Sequence, residues 1–320
     1  ETARFTIMLT TPACPLKGRI EAEARQAVLS VPGIENVEIR MSSSVPSDGK
    51  SRGLLQMPVK NAVAIASGKG GVGKSTVAVN VAVSLAKFGA TVGLLDADIY
   101  GPNIPTMMGV ERLPAQRGNQ LVPAEIYGVR LMSIGFLVKP GQALIWRGPM
   151  LHSAIRQFLG DVAWGELDYL VIDLPPGTGD AQLSLSQSIP LSGGVIVTLP
   201  QQVSLEDAAR SLNMFREVNV PILGVVENMS YLQLPDGTRM DIFGAGGGLA
   251  MAKQANVPFF GTIPMDPAVR IGGDNGKPIV ITQPDSAPAV ALRLIAEKIA
   301  ASLSVAAMRT NSSVSINVID

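Results

Sequence analysis

The sequence predicts a doubly wound, mainly parallel α/β sheet with a small partial α+β module in front of it. Three observations carry this. Short apolar runs of strand length recur along the chain and alternate with segments of helical period. Several of the runs end in a carboxylate or a glycine-rich turn, where open parallel sheets place ligands. The chain has 320 residues with 47% hydrophobic and 16% charged, enough for one large α/β core and an appendage.

In order, Ala3–Thr10 alternates as a strand, Leu16, Ile20, Ala24 and Val28 recur at helical spacing up to Leu29, and Ile34–Ile39 reads as a second strand. Together they give a small module over 1–43. A polar stretch rich in Ser, Gly and Pro follows and reads as a linker over 44–59. The large domain is expected over 60–303, with 304–320 as a tail that includes a strand candidate at Val314–Val318.

The organising stretch is Ala62–Ala66, a buried strand, then Ser67-Gly68-Lys69-Gly70-Gly71-Val72-Gly73-Lys74-Ser75-Thr76, then a helix. Glycines let successive N–H groups turn inward on phosphate oxygens, and the helix adds its positive end to the same anion. Lys74 is placed for the β- and γ-phosphates and Ser75 for Mg²⁺. The stretch satisfies the phosphate-loop pattern, so a sheet of the P-loop NTPase type is expected, with ATP and Mg²⁺ as the expected ligands. Lys69, directly after the first glycine, cannot easily reach its own loop's phosphates; it is either a solvated lysine or one that points at a nucleotide held by a facing subunit.

The helix Val77–Phe88 is apolar nearly all round and should be buried, with Gly89 closing it. Thr91–Leu95 is the next strand and ends in Asp96-Ala97-Asp98. Leu131–Leu137 is read as a strand and Met150–Leu159 as a helix carrying His152, the single histidine, taken as structural. Leu167–Asp173 is a buried strand that brings Asp173 to the metal in Walker B fashion, followed by Pro175-Pro176-Gly177-Thr178-Gly179 as a hinged switch loop. Val195–Leu199 is a strand, Ser204 caps a helix running to Val218, and Ile222–Glu227 is a strand ending at Asn228. Phe259–Pro264 is the last strand. Ala287–Leu303 closes the chain, with too thin a polar face for a membrane-seeking helix.

Lys69 within this loop resembles the deviant-Walker NTPases, which include Min and Par positioning ATPases and Mrp-type iron–sulfur carriers. The resemblance implies a homodimer in which Lys69 acts across the interface. It also implies that Asp98 aligns the attacking water, Asp96 and Asp173 hold Mg²⁺ through water, Gly177 offers an N–H to the γ-phosphate and Asn228 contacts adenine. Asp98-Ile99-Tyr100-Gly101-Pro102, Trp146-Arg147-Gly148-Pro149-Met150, Asp173–Asp180 and Glu227-Asn228-Met229-Ser230-Tyr231 are similar to the Mrp/ApbC-type iron–sulfur carrier ATPases in particular. Thr10–Pro15 resembles the second half of a MIP18-like module, so the first helix and strand of such a module are expected to be missing. The family reading implies slow ATP hydrolysis, iron–sulfur apoprotein clients or assembly factors as partners, and a [4Fe–4S] cluster. The rival readings are a nucleotide-switched scaffold without a cluster and a Min/Par-like positioning ATPase.

One departure is sharp. Where the family carries Cys-x-x-Cys after Tyr231, this chain reads Leu232-Gln233-Leu234-Pro235-Asp236-Gly237-Thr238-Arg239, a hairpin turn without thiols. Its single cysteine, Cys14, is either a small buried hydrophobe or a cluster or partner thiol ahead of a helix start. Lys+Arg and Asp+Glu are both 26, so no global field favours nucleic acid or membrane. With no apolar run of about 20 residues and no visible signal peptide, the expected setting is the cytoplasm or a reducing organelle interior.

Overall fold

A computed structural model describes residues 1–50, 59–114, 118, 120–137, 148–234 and 236–311. Trp146 and Arg147 of the family-like segment, the strand candidate at Val314–Val318, residues 51–58 of the expected linker and the side chain of His152 lie outside the described residues.

The small module is β1 (Thr2–Leu9), α1 (Lys17–Leu29) and β2 (Asn36–Ser43), with β1 and β2 parallel. The large domain runs β3 (Val59–Ala66), α2 (Lys74–Lys87), β4 (Val92–Asp96), α3 (Ile104–Met108), β5 (Ala124–Ile126), β6 (Val129–Ser133) and α4 (Gly148–Gly160). Then come β7 (Leu167–Asp173), α5 (Asp180–Ser188), β8 (Gly193–Thr198), α6 (Gln202–Glu217), β9 (Ile222–Glu227), β10 (Leu232–Gln233) and β11 (Arg239–Met240). The chain finishes with α7 (Gly247–Gln254), β12 (Phe259–Thr262), α8 (Pro267–Asp274), α9 (Ile279–Thr282) and α10 (Ala287–Asn311).

Eight strands form one sheet in the order β12-β9-β8-β3-β7-β4-β6-β5, parallel throughout except for the edge pair β5–β6. This is the doubly wound sheet expected. Its strands are apolar on both faces because helices cover both. Val63, Ile65, Leu94, Val171 and Val226 pack on one side with α2 and α10; Ala64, Leu95, Leu170, Ile172 and Val225 pack on the other with α4 and α6. Glycine makes room in three strands. A Cβ on Gly194 would sit 2.3 Å from Phe215, and Gly93 and Gly224 meet Leu167 and Phe260 almost as closely.

Several boundaries differ from the sequence reading. The run Leu131–Leu137 is a strand only to Ser133; beyond it the chain coils into a 3-10 turn, because Ser133 Oγ donates to Asp96 and accepts from Gly135 N. Ser204 is not the cap of α6. It lies inside the helix, buried, and its Oγ accepts from Leu199 N at 3.1 Å. The helix α10 continues beyond Leu303 to Asn311, so the tail begins later than expected. Its Ala289, Leu292, Ile295, Ala296, Ile299 and Ala300 lie in the core, as a sheet-docked helix requires.

The first part of the expected linker is a packed strap. Val45 and Asp48 are buried, Asp48 N donates to Lys60 O, Asn61 Nδ2 donates to Pro46 O, and Ser192 Oγ donates to Asp48 Oδ2 at 2.6 Å. These bonds lie at the amino ends of β3 and β8. The small module reaches the same end of the sheet. Tyr169 Oη donates to Thr11 Oγ1 at 3.0 Å, Ser304 Oγ of α10 donates to Thr10 O, and Ala13 joins the core. Nearby, Lys60 and two donors on Thr91 hold the Asp168 carboxyl below its ordinary value against the opposing effect of burial.

Candidate functional site

The carboxyl ends of β3, β4, β7, β8 and β9 converge on the loop Ser67–Gly73. Gly71 and Gly73 sit at φ +80° and +84°, a region that suits glycine, and this turns the loop back over the start of α2. Gly68 is needed for another reason. A Cβ there would lie 2.0 Å from the Asp207 carbonyl carbon, so the loop rests against the α6 backbone. The result is a ring of backbone in front of a helix that begins at Lys74 itself.

Lys74 is 6% exposed, and its Nζ lies 2.8 Å from Asp173 Oδ1 and 3.4 Å from Asp98 Oδ2. Ser75 Oγ donates to Asp173 Oδ2 at 2.6 Å. Three predicted groups are thus in direct contact, and the fourth, Asp98, is alongside. Asp98 Oδ1 accepts from Tyr100 N and Gly101 N, which fixes its loop and leaves Oδ2 turned to Lys74. Burial and the charge of Asp98 push the Asp173 carboxyl up, and Lys74 and Ser75 oppose that rise.

Asp96 lies behind these groups. It is fully buried, accepts from Ser133 Oγ at 2.8 Å and from the N–H groups of Ile104 and Asp98, and is pushed up to about 8, first by burial and then by Asp173. Its bonds support the Asp98 loop from behind. Gly177 sits in the loop after β7. At φ +92°, its N–H donates to Ser67 O at 2.9 Å, which ties the switch loop to the phosphate loop. Asn228 Nδ2 donates to Val72 O at 2.8 Å and bridges the end of β9 to the loop.

A cavity of about 410 Å³ is lined by Lys69, Gly70, Gly71, Lys74, Ser75, Thr76, Asp98 and Pro176. Lys69 is half-buried on its wall. A neighbouring cavity of about 810 Å³ shares Thr76, Asn103 and Met107 with it and extends past Asn228 to Pro264, Met265, Asp266 and Val269. This second wall was missed in the sequence. The β12 strand was extended to Pro264 there, and the only local signal was Asp266-Pro267, where Asp266 Oδ1 caps α8 by accepting from Ala268 N. Cys14 lines neither cavity: it belongs to the small module, whose Thr11 meets Tyr169 near the amino end of β7, and is partly exposed. Among the described residues no group of three or more His, Cys, Asp or Glu side chains is arranged for a metal, and no helix is long and apolar enough to cross a membrane.

A glycine loop ahead of a helix, its lysine and serine against a strand-end aspartate, and a mainly parallel sheet behind them define a P-loop NTPase of the MinD/ParA class. Likeness to known proteins narrows the class. The pattern of the ParA group described as NUBPL iron-transfer P-loop NTPase matches residues 58–300, and that of an iron–sulfur cluster assembly protein matches 1–41. An iron–sulfur cluster carrier protein of Synechocystis is 53% identical over 319 residues, covering 96% of this chain and 89% of the relative. That of Deinococcus radiodurans is 52% identical, covering 95% and 87%. Among solved structures, a nucleotide-binding protein from Archaeoglobus fulgidus in complex with ADP superposes with a TM-score of 0.63 at 39% identity, covering 72% of this chain and 90% of that one. The cell division ATPase MinD of Pyrococcus furiosus gives 0.58 at 25% identity, covering 75% and 98%. The chain belongs to the iron–sulfur cluster carrier family of P-loop NTPases.

Proposed function

We propose that this chain binds ATP with Mg²⁺, hydrolyses it as a homodimer, and serves iron–sulfur cluster assembly or transfer to apoproteins. The observation that carries the reading is the contact of Lys74 and Ser75 with Asp173 inside the glycine loop. The donor set fits the ligands: inward-turned N–H groups and Lys74 suit phosphate oxygens, while the Ser75 hydroxyl and the Asp173 carboxylate suit a hard cation. When bound, Mg²⁺ supplies charge neutralisation at the phosphoryl oxygens. Lys74 leaves its carboxylate partners for the phosphates. Asp98, freed on its Oδ2 side, orients water and accepts its proton. Asn228 and the wall Pro264–Val269 enclose the base in the larger cavity. Asp96 acts by positioning the Asp98 loop, and Gly177 by releasing Ser67 when the switch loop moves.

The dimer reading is supported by exposed apolar side chains around this end of the sheet: Tyr100, Val203, Met240, Ile242 and Leu249 all follow the carboxyl ends of strands. Lys69 on the same face is assigned to the partner's nucleotide. A cation supplied in trans to a transferring phosphoryl group is worth roughly 10³–10⁵ in rate, as for arginine fingers, so turnover is slow until two chains meet.

A four-thiolate [4Fe–4S] cargo at the dimer seam does not fit. The hairpin β10–β11 holds the place of Cys-x-x-Cys, closed by Leu232–Met240 pairing and by Arg239 stacked 4.3 Å over Tyr231, and two chains together bring only two thiols. That favours a second reading, a nucleotide-switched scaffold that recruits clients or assembly factors and carries no cluster of its own. The test is phosphate release from ATP by the wild type and Asp98→Asn, together with anaerobic iron and sulfide loading of the wild type and Cys14→Ser. Turnover lost with Asp98 supports the ATPase. A cluster lost with Cys14 supports carriage through the small module, and no cluster in either protein supports the scaffold.

A further inference from the structure

The turn that ends β9 contains a buried acid with no part in the phosphate site. Glu227 is fully buried. Its Oε1 accepts from Ser230 Oγ, and its Oε2 accepts from Gly248 N, at the start of α7, at 2.6 Å. Among the described residues no Lys or Arg pairs with it. A carboxyl held by neutral donors alone is costly to bury, and a glutamine would fill the same space at less cost. What the glutamate adds is two acceptor oxygens, each aimed at a different segment.

Those two segments meet the base cavity. Between Glu227 and Ser230, Asn228 reaches the phosphate loop, and Met229 takes φ +48°, a left-handed conformation uncommon for a side-chain-bearing residue. The Ser230–Glu227 bond clips this turn shut. On its far side, Ser230 N donates to Ile263 O at 3.0 Å, Met265 N donates to Tyr231 O at 2.7 Å, and Leu232 bridges to Met265. Asn228, Met229, Leu232, Ile263 and Met265 all line the larger cavity. The hairpin β10–β11 therefore grows directly from the cavity wall, and α7 is pinned to the same carboxyl group.

We propose that Glu227 is a positioning residue that locks the Asn228 turn and makes the hairpin β10–β11 and the start of α7 respond to nucleotide. The proposal rests on the nucleotide reading of the site. The thiol-free hairpin thereby gains a role. Nucleotide sets the order of a protein surface, carrying Arg239, Met240 and Ile242, where the family pattern holds thiolates.

The experiment is hydrogen–deuterium exchange of the peptides covering 232–240 and 247–252, with and without ADP and Mg²⁺, beside calorimetric ADP binding. In the wild type, ADP should slow exchange in both peptides by about tenfold or more. In Glu227→Gln, ADP should still bind, about tenfold more weakly as one of the two acceptor bonds is lost, but the slowing should fall below about twofold. Ser230→Ala removes only the clipping hydroxyl and should shift 232–240 in the same direction, which keeps the test open if Glu227→Gln does not fold. Full nucleotide-dependent slowing in ADP-bound Glu227→Gln, or in Ser230→Ala where Glu227→Gln does not fold, overturns the proposal, as does a wild-type hairpin indifferent to bound ADP. Failure of the wild type to bind ADP overturns the reading of the site and this proposal together.

Discussion

Replacing Lys74 by alanine tests the electrostatics of the site without any nucleotide. Among the described residues, Lys74 is the cation that faces three buried carboxyl groups: Asp173 at 2.8 Å, Asp98 at 3.4 Å, and Asp96 close behind them. Breaking a buried ion pair from one side costs about 3–5 kcal/mol, because the remaining charge stays buried. In a domain of this size, that corresponds to a fall in Tm on the order of 10 °C. The loss should depend on pH. Asp96 and Asp173 both have folded values raised above the unfolded ones, Asp96 to about 8. Such groups favour the folded state fully below about pH 4 and lose that contribution as pH rises toward 8. Without Lys74, Asp173 rises further, so the variant should lose more at about pH 8.5 than at about pH 5.5, where protonation relieves the crowding. Chemical unfolding of both proteins at the two pH values, with chelator and without nucleotide, measures this. An equal loss at both, or none, refutes the assignment of Lys74 as the counter-charge.

Asp98→Asn should lower phosphate release by about 10²–10⁴ while ADP affinity stays within a few-fold, read from turnover and calorimetry. Gly73→Ala forces a side chain onto a φ of +84° with its Cβ 2.2 Å from Asn228 Nδ2, so ADP affinity should drop by more than about tenfold, measured by titration. Tyr169→Phe removes the bond to Thr11 and should loosen the small module by about 1 kcal/mol, seen as faster amide exchange in 1–43 with the 60–303 region unchanged. Lys60→Met should flatten the acid limb of the stability curve. The Asp168 carboxyl is held low in the folded protein, so its contribution is present above its unfolded value and disappears as pH falls through the folded one.

The sequence reading located the phosphate loop, the strand-end carboxylates and the parallel order because each is written in local chemistry: glycines at the turn, apolar runs, an acid at the end. It mistook what depends on a distant partner. Ser204 has the composition of a cap, yet its hydroxyl takes the Leu199 N–H instead of a first-turn donor. The polar strap at 44–50 reads as a linker until Ser192 and Asn61 supply its bonds. The wall from Pro264 to Val269 had no periodicity to announce it; only the fold brings it beside Asn228. The hairpin at Asp236-Gly237 was legible, because a turn of that kind is set by neighbours in the chain.

The docking of the small module through Thr11 and Tyr169 has a consequence for stoichiometry. β7 spans seven residues, roughly 20 Å of strand, with Asp173 at one end and the module's anchor near the other. In the proposed dimer, joined across the nucleotide faces, the two small modules sit at the ends of the strands away from the seam, each with its own Cys14. On that reading any client that depends on Cys14 is counted per chain, and a short bifunctional thiol reagent would label both chains without bridging them.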